Sequence, residues 1–72
     1  MREPTEDNIF MTVFSRDAFS RKELSKIIRT YYGDKGYKIL QEFWKKGFIG
    51  YNGYGYINVT KKGANYWREI KI

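Results

Sequence analysis

The 72-residue sequence contains no cysteine and no histidine, and proline occurs once, at Pro4. Without cysteine there is no disulfide framework, and without either residue no Cys/His zinc site can form, so neither of the usual supports of a very small domain is available. The same absence removes the commonest general bases, thiol nucleophiles and soft-metal ligands. The carboxylates are scattered, mostly where they cap helices or partner lysines, so the chain is expected not to be an enzyme and to need no cofactor, metal or small-molecule substrate. Long apolar runs are missing too. Ile9-Phe10-Met11 with Val13-Phe14 is the longest candidate and is far too short for a membrane span, so no membrane partner is expected. Met1-Arg2-Glu3-Pro4 leads into acidic residues rather than an apolar leader, and a cytoplasmic location is the default expectation.

What the chain has instead is aromatic and basic. Seven Tyr, five Phe and two Trp supply large buried areas for one compact domain covering residues 1–72, and a second copy of the chain would supply further burial. The formal net charge is +6 and is unevenly placed. Residues 1–19 carry Arg2 and Arg16 against Glu3, Glu6, Asp7 and Asp17, a balance of −2, whereas residues 20–72 carry twelve Lys/Arg against Glu23, Asp34, Glu42 and Glu69, a balance of +8. Such asymmetry points to a polyanionic partner, nucleic acid before an anionic surface.

The element order follows from caps and periodicity. Thr5 caps a first helix, with Glu6 and Asp7 at its positive end and Ile9, Phe10, Val13 and Phe14 on one face; it fades near Arg16. Ala18-Phe19 is a short extended segment. Ser20-Arg21-Lys22-Glu23 reads as a capping box, and Leu24, Ile27, Ile28 and Tyr31 follow at helical spacing, with Lys22, Lys26 and Arg29 on the opposite face. Residues 32–36 read as a turn. A third helix runs from Asp34 or Lys35 to Lys46, closed by Gly47; Gly36, Leu40 and Phe43 point inward, and Tyr37, Lys38, Gln41 and Lys45 form a polar, basic face. Asn52-Gly53 between β-prone runs signals a two-residue hairpin turn pairing Tyr51 with Tyr54, Ile49 with Tyr56 and Phe48 with Ile57. That register puts Phe48, Ile57 and Val59 on the core face and Ile49, Tyr51, Tyr54 and Tyr56 on the other. Thr60 caps a closing helix from Lys61 to about Lys71, with Ala64, Trp67 and Ile70 as its apolar stripe.

Phe43-Trp44-Lys45-Lys46-Gly47-Phe48-Ile49 and Ile57-Asn58-Val59-Thr60-Lys61-Lys62-Gly63 carry a resemblance. The first is similar to the end of a recognition helix entering a wing, and the second to the wing exit of small prokaryotic, often archaeal, regulators. Over roughly Ser20 to Ile70 the chain resembles a winged helix-turn-helix DNA-binding domain. The resemblance implies an α+β fold of three helices, a β-hairpin wing and a closing C-terminal helix, and a double-stranded DNA-binding protein acting in transcription regulation. It implies a third helix in the major groove, with Lys35, Tyr37, Lys38, Gln41 and Lys45 as its contact set. Gln and Lys there suit base edges, while Arg21, Lys22 and Lys26 suit phosphate. Tyr51, Asn52 and Tyr54 are the wing contacts. The wing tip is tyrosine-rich where relatives carry Arg or Lys, and its tyrosines suit backbone contact, stacking on unpaired bases, a homodimer patch or cross-strand packing. A protein-interaction module and a sequence-tolerant DNA-organising protein are the alternative roles.

Overall fold

The computed structural model describes residues 3–16 and 18–71, with side chains described up to residue 69. The fold is α+β: helix α1 (Glu6–Ser15), a long helical span α2 (Arg21–Lys46), strands β1 (Ile49–Tyr51) and β2 (Ile57–Val59) paired antiparallel, and helix α3 (Lys61–Lys71). The caps expected at Thr5, Ser20, Gly47 and Thr60 are in place. Thr5 accepts from Asn8 N at 3.2 Å and Ser20 from Glu23 N at 3.1 Å. The Glu23 carboxylate reaches back to Phe19 N at 3.2 Å, one residue earlier than a standard capping box. Gly47 adopts φ 74° and ends α2 in a Schellman arrangement, Phe48 N donating to Phe43 O at 2.9 Å and Gly47 N to Trp44 O at 3.2 Å.

The turn expected over residues 32–36 contracts to a single non-helical residue. Gly33 (φ 73°, ψ −165°) interrupts α2 and divides it into two arms, residues 21–32 and 34–46. That backbone conformation is essentially restricted to glycine. Tyr32, assigned by sequence to the turn, belongs to the core at 2% exposure, because its hydroxyl reaches Thr12 Oγ1 and Asn8 O on α1. The second arm turns inward as expected, with Gly36, Leu40 and Phe43 buried.

The core is centred on Phe10. Its ring stacks on Phe43 at 4.2 Å and lies within 6.3 Å of the Phe48, Tyr66 and Trp67 rings. Phe14, expected inside, is half-exposed and packs at the surface against Trp67, 5.2 Å between centroids. In α3, Tyr66 does work that the sequence did not reveal. Its ring stacks on Phe48 at 4.5 Å and its hydroxyl donates to Glu6 Oε2 at 3.2 Å, while Trp67 Nε1 donates to Asp7 Oδ1. Ile70, the third expected apolar position of that helix, lies outside the described side chains.

The hairpin register differs from expectation by three residues: Ile49 pairs with Val59, Gly50 with Asn58 and Tyr51 with Ile57. An odd shift exchanges the faces of a strand. Ile49 is accordingly a core residue, 3% exposed, rather than a member of the tyrosine face. Two contacts from outside the hairpin hold β2 in place. Ile57 N donates to Ala18 O at 2.8 Å, so the extended Ala18 segment acts as a short third strand-like contact. Thr60 Oγ1 donates to Gly47 O at 2.7 Å and accepts from Gly63 N at 3.1 Å, tying the end of α2 to the start of α3. The junction is tight enough that a Cβ on Gly63 would lie 2.1 Å from Phe48 O.

Candidate nucleic-acid interface

The kink at Gly33 folds the arms of α2 toward one another and leaves an open groove between them. One section, about 680 Å³, is lined by Arg21, Lys22, Ser25, Lys26, Arg29, Thr30 and Tyr37. A second, about 250 Å³, shares Arg21, Ser25 and Tyr37 and adds Gln41, Trp44 and Lys45. The first arm therefore contributes Arg21, Lys22, Lys26 and Arg29, placed on one face by helical spacing, and the second contributes Lys45 together with the neutral donors of Tyr37 and Gln41.

Aromatic rings from the second arm brace arginines from the first. The Arg21 guanidinium lies 4.2 Å from the centroid of Trp44, and that of Arg29 lies 3.9 Å from the centroid of Tyr37. Cation–π contacts of this kind contribute about 0.5–1 kcal/mol each at exposed sites. Their larger consequence is geometric: a long side chain is held in one orientation while the edge of its guanidinium keeps donors for a bidentate acceptor. Arg29 also approaches Asp34 at 3.8 Å and Lys45 approaches Glu42 at 3.9 Å, with all four side chains more than half exposed. Solvent-exposed pairs of this length are weak enough to yield to a stronger anion.

Of the residues expected at the interface, Arg21, Lys22, Lys26, Tyr37, Gln41 and Lys45 line this groove. Lys35 and Lys38 are exposed on the second arm outside it, and Tyr51, Asn52 and Tyr54 lie in the hairpin. Four groove members, Ser25, Arg29, Thr30 and Trp44, are not among the residues expected at the interface. Arg29 lies on the basic face of its helix, and Trp44 is half-buried beneath Arg21. The hairpin joins the groove through Trp44, whose ring lies 6.2 Å from that of Tyr51.

The acidic residues of α1 are engaged elsewhere, Glu6 with Tyr66 and Asp7 with Trp67. The Glu6 contact pushes the Tyr66 hydroxyl above its ordinary pKa, first through the hydrogen bond and then through the carboxylate charge. Among the described residues no cluster of acidic side chains could hold a metal ion, and no helix is long and apolar enough to cross a membrane. No protein-family model, curated protein or solved structure matches the chain.

Proposed function

We propose that the protein binds double-stranded DNA in the manner of a winged helix-turn-helix transcriptional regulator. The observation that carries this reading is the groove between the arms of α2, where five cationic side chains line one open face and two of them are braced by aromatic rings. In this reading the first arm lies along the backbone, with Arg21, Lys22, Lys26 and Arg29 on phosphates. The second arm enters the major groove, Gln41 and Lys38 facing base edges and Tyr37 and Lys45 flanking them. The hairpin lies along the sugar–phosphate backbone of continuous duplex.

Self-association is supported by a separate feature. Met11 and Phe14 are exposed beside Trp67 and Ser15 on the α1–α3 side, an apolar surface that a second copy would cover.

The direct test of DNA binding is fluorescence anisotropy with labelled random-sequence duplex in low salt, followed by a salt titration. If one protomer neutralises about four to six phosphates, log affinity falls against log salt with a slope of about −4 to −5. Absence of binding in low salt overturns the reading.

A further inference from the structure

The hairpin differs chemically from the groove it adjoins. From Gly47 to Thr60 the chain has no Lys, Arg, Asp or Glu. It nevertheless presents Tyr54 at 87% exposure and Tyr51 at 56%, and Phe19 beside it is 63% exposed. The loop that carries Tyr54 is built rather than slack. Asn52 N donates to Tyr56 O at 2.8 Å, and Gly55 N donates to Asn52 O at 3.1 Å. The Asn52 side-chain oxygen accepts from both Tyr54 N, at 2.8 Å, and Tyr56 N, at 3.1 Å.

One of these rings adjoins the groove. Tyr51 neighbours Trp44, the ring beneath Arg21, and Phe19 packs on Tyr56 with centroids 4.5 Å apart. An exposed ring on a preorganised loop adds little to the core and no positive charge toward phosphate. What it offers is a flat apolar face on a backbone that is already ordered, so only the side chain's own rotamers remain to be fixed on contact. Nucleobases have matching faces, which are hidden inside a continuous duplex and become available where bases are unpaired. The basic groove alongside selects a polyanion that carries such bases.

We propose that the hairpin tip stacks on unpaired bases, so that the protein binds a junction of duplex and single-stranded DNA more tightly than continuous duplex. Tyr54 is the principal stacking ring, and the α2 groove, which Tyr51 adjoins through Trp44, holds the adjoining duplex. The proposal rests on the groove being a duplex site.

The experiment compares three labelled probes at one salt concentration: a short blunt duplex, the same duplex with a thymidine overhang, and the thymidine strand alone. Wild type is expected to bind the overhang probe about five-fold or more tightly than the blunt duplex, the gain from a single stacked base. Tyr54→Ala abolishes the difference in affinity between the overhang probe and the blunt duplex, while Tyr54→Phe, which keeps the ring, retains it. Lys22→Ala weakens both duplex probes by the same factor. If the blunt duplex binds but the overhang brings no gain, the stacking proposal is overturned and the groove reading survives. It is likewise overturned if Tyr54→Ala weakens both duplex probes alike, or if that variant changes only sedimentation without DNA, which would make the tip a contact between copies. If neither duplex probe binds in low salt, the groove reading itself fails.

Discussion

The arms of α2 and the hairpin both carry aromatic rings to the surface, and they use them differently. On α2, Trp44 and Tyr37 lie beneath guanidinium groups and turn flexible cations into oriented ones. In the hairpin the apolar and aromatic side chains divide by depth. Phe48, Ile49 and Ile57 are buried at the base, whereas Tyr51 and Tyr54 face solvent toward the tip with no cation over either ring among the described residues. Similar side chains thus brace charge in one region, hold the fold in a second and remain available in a third. The difference lies in what the backbone brings alongside each ring.

The comparison breaks most readily at the base of the hairpin. Gly63→Ala forces a methyl group against Phe48 O and is expected to destabilise the protein by about 3 kcal/mol or more, read from denaturant unfolding. Ile57→Ala removes a core side chain and is expected to cost about 2–4 kcal/mol in the same measurement. An unchanged midpoint for Gly63→Ala would mean that α3 does not pack this closely on the end of α2.

Within the groove the expected effects are on binding. Gln41→Ala is expected to cost about 1–3 kcal/mol at a preferred duplex site and little elsewhere, as loss of a bidentate base contact does. Lys22→Ala should weaken every sequence alike and reduce the salt slope by about one. Competition binding against a random duplex pool separates the two; identical profiles would remove base reading from the second arm and favour a DNA-organising role.

Much of this architecture was legible in the chain, and the parts that were not share a cause. Thr5, Ser20, Gly47 and Thr60 cap helices through bonds to residues a few positions away, so their roles follow from local sequence. The inward face of the second arm follows from spacing alone. The hairpin register did not, although Asn52-Gly53 is a strong two-residue turn signal. Here the Asn52 side chain satisfies two loop amides and stabilises a longer connection. Bonds between positions well separated in sequence, Ile57 with Ala18 and Thr60 with Gly47, then set β2 against β1. Arg29 and Trp44 escaped notice for the same reason: their roles exist only once Gly33 brings the arms together. Tyr66 and Trp67 meet Glu6 and Asp7 across 60 positions, a separation at which periodicity is silent.

The smaller predictions concern the hairpin tip and the far side of the molecule. Tyr54→Ala is expected to change unfolding stability by less than about 1 kcal/mol, as surface substitutions generally do. A loss comparable to that of Ile57→Ala would show the tip to be structural and erase its contrast with the base. Tyr66 gives the smallest effect. Its pKa is raised in the folded state above the ordinary 10.0, so the unfolded chain releases this proton first as pH climbs. The contribution is fully present below pH 10 and is lost progressively above it. Stability of the wild type should therefore fall more steeply above pH 10 than that of Tyr66→Phe, and parallel curves would contradict the Tyr66–Glu6 contact.

The central claim, that the arms of α2 form the DNA-binding face, is tested most directly by an amide NMR footprint of labelled protein titrated with duplex DNA. The expected result is a set of shifts at Arg21, Lys22, Lys26, Tyr37, Lys38, Gln41 and Lys45 that saturate together, with Met11, Phe14 and Trp67 unmoved. A footprint centred on Met11, Phe14 and Trp67, with the arms of α2 silent, would contradict it.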